Sequence, residues 1–209
     1  MNKSLFLVPL LFLFACQSEQ KKPKKELDPK LLISCEGIGE IKLSDTYESL
    51  EKRYGAKALT EHENTIAGKY TTIWEGTPKE LNVYWIEREA PFTKVRMIET
   101  SNPSSEYMTR DSVQVGMGLR DLVKKNGSMP VTFRNFYALK DNGVIVSMNN
   151  GKVQENSPCF AGVLEWESQS NIYKDKLDEF KKQEVVESFD DVVQKMEVFL
   201  SAIRVEAKQ

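Results

Sequence analysis

The strongest constraint on this chain is that it writes one short passage twice. Residues 113–127 read V-Q-V-G-M-G-L-R-D-L-V-K-K-N-G, and 72 positions earlier residues 41–55 read I-K-L-S-D-T-Y-E-S-L-E-K-R-Y-G, with no gap between the two alignments. Leu50, Lys52 and Gly55 recur as Leu122, Lys124 and Gly127, while Ile41, Leu43 and Tyr47 lie under Val113, Val115 and Leu119. Each copy has the same physical grammar. Two apolar residues at period two make a short, half-buried strand. Small or polar residues turn the chain, apolar residues three apart then mark one helical face, and the last turn is basic. A glycine comes next, suited to the left-handed position just past a helix C-terminus. This pattern predicts an internal repeat.

The segments after each copy extend the plan. Behind the first, Glu61-His62-Glu63-Asn64 reads as a polar loop, and residues 70–74, 81–86 and 94–99 read as strands. In the second of these, Leu81, Val83 and Trp85 alternate with Asn82 and Tyr84, so one face is buried. Behind the second copy, residues 131–133, 143–148 and 160–166 read as strands. Asp141-Asn142-Gly143 and Asn149-Asn150-Gly151 carry the Asn-Gly signature of tight hairpin turns. The expected fold is α+β: two tandem repeats, each a strand, a helix and an antiparallel meander, with the helices packed on one face of the sheet. The repeats occupy residues 33–104 and 105–170, divided at Asn102-Pro103-Ser104-Ser105. Residues 171–209 form a tail. Ser188-Phe189-Asp190-Asp191 suggests a capping box, and Phe189, Val192, Val193, Met196, Leu200 and Ile203 follow helical spacing. A helix to about residue 197 is expected, with residues 198–206 open to either helix or edge strand.

The opening is a targeting segment. Lys3 precedes a ten-residue apolar run at 5–14, broken only by Pro9. A membrane-spanning helix needs about 20 apolar residues, so this run reads as the apolar region of a signal peptide covering residues 1–15. Leu13-Phe14-Ala15-Cys16 resembles the lipobox of bacterial lipoproteins, with Phe14 departing from the usual small residue at its position. The resemblance implies a diacylglycerol (palmitate-type) thioether on Cys16 and cleavage before it. Gln17 following the cysteine implies the outer membrane, with the domain facing the periplasm. Residues 16–32 then form the lipidated cysteine and a flexible, solvated tether. From Gln17 to Lys30 there are five lysines, three acids, two prolines and one aliphatic residue, too little apolar surface to offset ordering.

With Cys16 acylated, Cys35 and Cys159 remain as an even pair in an oxidising compartment and are expected to form a disulfide joining the chain's two ends. Removal of residues 1–15 leaves 28 basic against 31 acidic side chains, with no basic stripe of the kind nucleic acid requires.

Chemistry-bearing motifs are sparse. His62 is the only histidine, so Glu61 and Glu63 beside it have no second imidazole to complete a zinc site, and no metal is expected. Gly37-Ile38-Gly39 and Gly116-Met117-Gly118 are too short for a dinucleotide loop. Ser49-Leu50-Glu51-Lys52 fits the Ser-x-x-Lys nucleophile pattern without its companions. Glu165 and Glu167 read as the wet side of a strand with Leu164 and Trp166 inward. Neither catalytic residues nor a cofactor are expected. Phe133, Arg134, Phe136 and Tyr137 concentrate aromatics and an arginine, the residue types that anchor interfaces, and form a candidate binding patch.

The strand–turn–helix–glycine unit, its lysine-rich helix end and Asn126-Gly127-x-x-Pro130-Val-x-Phe133 resemble periplasmic and lipoprotein domains of Gram-negative bacteria. In its duplicated grammar the chain is also similar to the β-lactamase inhibitor protein and to the small lipoprotein of the outer-membrane β-barrel assembly machine. Both bind proteins without catalysis, so the resemblance implies a lipid-anchored, non-enzymatic envelope lipoprotein binding a protein or envelope component. One alternative is a periplasmic inhibitor or immunity-type protein, blocking an enzyme through a protruding loop at 61–64 or 133–137. Another is an enzyme with a deep, carboxylate-lined pocket.

Overall fold

The computed structural model describes residues 27–64, 68–169 and 171–207. The signal segment, Cys16 and the tether as far as residue 26 lie outside the described residues. Those described form a mixed, largely antiparallel α+β fold with four α-helices and three sheets.

A small meander opens it: β1 (Ile33–Ser34), β2 (Gly37–Ile38) and β3 (Ile41–Lys42), each paired with the next. Next comes α1 (Tyr47–Tyr54), which starts where it does because Thr46 and Ser49 cap it reciprocally. The Thr46 hydroxyl accepts the Ser49 N–H at 3.1 Å and Ser49 Oγ accepts the Thr46 N–H at 3.0 Å, satisfying donors that a helix start leaves free. Ser49 is therefore a capping residue, which accounts for the Ser-x-x-Lys match. Leu50 faces inward and is fully buried, and Gly55 ends the helix at φ +80°.

Four antiparallel strands come next: β4 (Leu59–Asn64), β5 (Gly68–Ile73), β6 (Leu81–Trp85) and β7 (Val95–Thr100). After α2 (Leu119–Lys125) come β8 (Thr132–Arg134), β9 (Ile145–Ser147), α3 (Lys152–Asn156) and β10 (Phe160–Gln169). The chain ends through α4 (Lys174–Phe180), β11 (Val185–Glu187) and β12 (Met196–Glu206). The main sheet runs β10-β12-β7-β6-β5-β4 and a smaller one runs β11-β8-β9, with an isolated Val144–Val163 bridge between β10 and the segment entering β9. Cross-strand register puts Ile73, Leu81, Val83, Ile98, Ile203 and Val205 on one face of the main sheet, all without exposed surface. That face is the core, since side chains two apart share one side of a strand.

The tail departs from the helical expectation. Residues 196–206 are a strand, and an interior one, because β12 lies between β10 and β7. Met196, Val198 and Leu200 point inward, and so do Ile203 and Val205. A bulge makes the difference: Val163 pairs with Ala202 and Leu164 with Leu200, leaving Ser201 as the extra residue. The shift turns a period-two pattern into a 200-to-203 step that imitates a helix. Ser188 does not open a capping box either. It is buried, and its hydroxyl accepts the Val131 N–H at 3.0 Å. Asp190 Oδ1 instead accepts the Val192 N–H at 2.7 Å and the Val193 N–H at 3.4 Å, where the chain enters a short 3-10 turn at Val193–Lys195.

Two other expectations are revised. Residues 61–64 are not a loop but belong to β4, whose polar sequence suits an edge strand with a neighbour on one side only. Asn149 and Asn150 both have the expected positive φ (50° and 56°), yet their turn feeds α3 rather than a hairpin partner. Buried Asn126 explains this: its amide donates to Met148 O at 2.7 Å and its Oδ1 accepts the Val153 N–H at 3.3 Å, fixing the entry to α3. Across the turn at residues 102–105, β12 from the tail pairs with β7 from the first half.

Cys35 and Cys159 are disulfide-bonded, Cα to Cα 5.3 Å, across 124 residues of sequence. The bond fastens the β1–β2 turn to the start of β10.

Candidate binding face

The face of the main sheet opposite the core carries two rows of side chains, each crossing at least four strands. In the first, Thr60, Thr72, Asn82, Glu99 and Arg204 are direct cross-strand partners from β4 to β12. Thr72 Oγ1 donates to Asn82 Oδ1 at 2.8 Å, and Arg204 Nε donates to Glu99 Oε2 at 2.5 Å. The second row is His62, Tyr70, Tyr84 and Met97. Its rings form a stacked ladder, His62 to Tyr70 and Tyr70 to Tyr84 both 5.0 Å between centroids. Arg96 lies over Tyr84 at 5.8 Å, and Tyr84 OH donates to Glu99 Oε1 at 3.2 Å, tying the two rows together.

This arrangement follows from register. Directly opposed residues of an antiparallel pair have Cβ atoms about 5 Å apart, the separation at which rings stack. His62, Tyr70, Tyr84, Thr72, Asn82, Glu99 and Arg204 all have side-chain partners before any ligand arrives, so the face is preorganised. Burial first, and then the neighbouring Glu99 carboxylate, push the Tyr84 hydroxyl well above the ordinary tyrosine range. His62, Tyr70, Asn82, Met97 and Arg204 all keep some of their surface in water. His62 also sits 3.3 Å from the Glu75 carboxylate at the rim.

The candidate patch from sequence is divided by the fold. Phe133 has no exposed surface and belongs to the core, so it cannot contact a partner. Phe136 is half-buried against Phe133 and Trp166. Arg134 pairs with Glu184. Tyr137 alone of the four is exposed, its ring edge-on to Phe180 and under Lys181. Glu165 and Glu167 stand on the wet side of β10, in an open groove of about 830 Å³ bounded by the start of α2 and by Glu197 and Phe199. Among the described residues no group of three or more His, Cys, Asp or Glu is arranged to hold a metal ion. No buried side-chain nitrogen or oxygen among them lacks a partner, and no helix among them is long and apolar enough to cross a membrane.

The ladder is not among the sites expected from sequence, although Tyr84 and Asn82 are visible there on the face opposite Leu81 and Val83. The lacking signal is β4: if residues 61–64 are a loop, His62 has no strand to bring it beside Tyr70. Comparison with protein families, with curated proteins and with solved structures finds no match to this chain.

Proposed function

We propose that the chain is a lipid-anchored, non-enzymatic lipoprotein of the cell envelope, held in the outer membrane through Cys16, which binds a protein through the outer face of its main sheet. The observation that carries this reading is the His62–Tyr70–Tyr84 ladder, stacked at 5.0 Å intervals and joined through Glu99 to Arg204. Aromatic and arginine side chains dominate binding energy at interfaces, and those fixed beforehand lose little rotamer entropy on association. The lipobox at residues 13–16 and the lysine-rich stretch behind it support the anchor.

We also infer that the fold descends from a duplication offset by 72 residues. α1 and α2 begin 72 positions apart, at Tyr47 and Leu119. Leu50 and Leu122 are both fully buried, and Gly55 and Gly127 have φ of 80° and 74°. Divergence is greatest in the strands, where Ile41–Lys42 is β3 but Val113 and Val115 lie outside any strand.

Affinity isolation of the full chain from gently solubilised envelopes tests the binding reading. Wild type should retain a stoichiometric protein that Tyr70→Ala and His62→Ala lose at unchanged melting temperature. Retention by both variants would remove the ladder from the interface, and no stoichiometric protein with wild type would remove the reading itself.

A further inference from the structure

The loop between β8 and β9 is built to hold a leucine in water. Leu139 is completely exposed at its tip (102 %). The loop is not loosely attached: Asn142 Nδ2 donates to Phe136 O at 3.1 Å, and Ala138 N to Asn135 O at 3.0 Å. Asn135, fully buried, anchors the base, its amide donating to Phe180 O at 2.7 Å and its Oδ1 accepting the Tyr137 N–H at 3.1 Å. Tyr137 is thereby packed edge-on to Phe180 at 6.3 Å, with Lys181 Nζ 4.9 Å from its ring. Lys140 follows Leu139 directly, and Lys182 follows Lys181 just past α4. The acids nearby are Glu184, which is paired with Arg134, and Asp178, which is paired with Lys174 and also feels Lys181 and Lys182, together with Asp141 and Glu179.

An apolar tip, an amphipathic ring behind it with Lys181 over its face, and Lys140 and Lys182 adjacent in sequence match the layering of a bilayer interface, where Tyr rests at headgroup depth and Lys reaches phosphate. We propose that the 136–142 loop is a membrane-contact tip for an anionic bilayer, with Leu139 entering the interface, Tyr137 at headgroup level, and Lys140, Lys181 and Lys182 against lipid phosphates. The inference rests on the lipid-anchor reading. With Cys16 held in the membrane, the residues between it and Leu27 reach at most about 40 Å, so the domain stays at high effective concentration beside the lipid and a weak contact suffices to orient it. The tip lies near β10, while the ladder begins at β6 and runs outward to β4. At about 4.8 Å per strand, four spacings, or about 19 Å, separate the β9 side from β6, and Tyr70 and His62 lie farther out still. Docking at the tip therefore leaves the ladder free for a protein partner.

The full-length lipoprotein carrying Leu139→Cys, labelled there with a polarity-sensitive fluorophore, provides the test. Vesicles of phosphatidylethanolamine with phosphatidylglycerol should shift the emission to the blue, pure phosphatidylcholine vesicles much less, and the same label at Glu51→Cys on α1 not at all. Raising salt from about 0.1 to 1 M, which shortens the screening length from about 10 to 3 Å, should reduce the shift. Co-flotation of the chain with the vesicles reports the anchor separately. Flotation with an unshifted label at residue 139 on anionic vesicles would overturn the tip, and so would an equal shift at residue 51. Failure to float would overturn the anchor instead.

Discussion

A Cβ added to Gly151 would stand 2.2 Å from Asn126 Oδ1, so the residue that opens α3 is a glycine because the buried amide 25 positions earlier occupies its side-chain space. The backbone at Gly151 is ordinary, with φ −79°. The requirement is for room, not for unusual torsion angles.

Gly151→Ala should therefore be destabilising by about 1–3 kcal/mol through overpacking. Asn126→Ala should lose about 1–3 kcal/mol by leaving Met148 O and the Val153 N–H without their partner. The two should not add. With the amide gone, an alanine at 151 has space, and the double variant should be no less stable than Asn126→Ala alone. Urea unfolding of the four proteins measures the coupling, and strict additivity would dismiss the steric account.

The two repeated leucines make a paired test of the duplication. Leu50→Ala and Leu122→Ala should each cost about 2–5 kcal/mol, since both side chains are fully buried. Gly55→Ala and Gly127→Ala should each cost about 1 kcal/mol or more at their positive φ. At Gly55 the space is open, whereas at Gly127 a methyl would meet the Lys152 side chain at 3.3 Å, which can move aside. Torsion opposes a side chain at both, most severely at Gly55, whose ψ of 151° lies outside the left-handed helical basin. A negligible loss at either one, in chemical denaturation, would count against equivalence of the copies.

How far the fold was legible in sequence depended on whether the pattern was local. α1 and α2 are legible because a turn of small or polar residues, an inward leucine and a terminal glycine all lie within a turn or two of each other. β6 was readable because Leu81, Val83 and Trp85 keep strict alternation. β12 was not, since a single bulged residue changes the spacing and only the partner strand β10 reveals which residue is extra. β4 carries no such signal, because an edge strand can be polar on both sides. The aromatic face needs β4, β5 and β6 in register, and register is a property of pairing that no single segment carries.

Thiol titration of the unfolded, unreduced chain should find neither Cys35 nor Cys159 reactive. Reduction, or Cys35→Ser with Cys159→Ser, should lower stability by at most about 4–5 kcal/mol, the loop-entropy value for a closure of this length. Residual structure in the unfolded chain reduces the figure. An unchanged urea midpoint after complete reduction would show that the link constrains nothing.

Alkaline behaviour should follow from Tyr84 and Tyr107. Burial raises both hydroxyls above the ordinary value of 10.0, with Glu99 adding to the effect at Tyr84 and Glu40 at Tyr107. A folded state that holds its proton more tightly than the unfolded state has its full advantage below the unfolded value. It loses that advantage as pH climbs from about 10 toward the raised folded value. Stability should accordingly be insensitive to these groups near neutrality and fall above pH about 10. Tyr84→Phe with Tyr107→Phe should flatten that limb. Absorbance titration of phenolate should show the pair ionising only as the chain unfolds, and early ionisation in folded protein would contradict their burial.

Ser201 decides the register of the longest strand. It is the extra residue where Leu164 pairs with Leu200 and Val163 with Ala202, and it lets Met196, Val198 and Leu200 face the core together with Ile203 and Val205. Its side chain matters little: Oγ donates one bond to Val163 O at 3.2 Å, so Ser201→Ala should cost no more than about 1 kcal/mol. Deleting the residue is another matter. The strand would then have to turn either its first three inward residues or its last two to the wrong face, because a one-residue slip exchanges the two sides of a strand. β12 is interior, paired with β10 along its length and with β7 at its C-terminal end, so neither half can detach without opening the sheet. The deletion variant should lose its cooperative thermal transition while Ser201→Ala keeps it. A deletion variant that melts like wild type would mean that the register is pinned elsewhere.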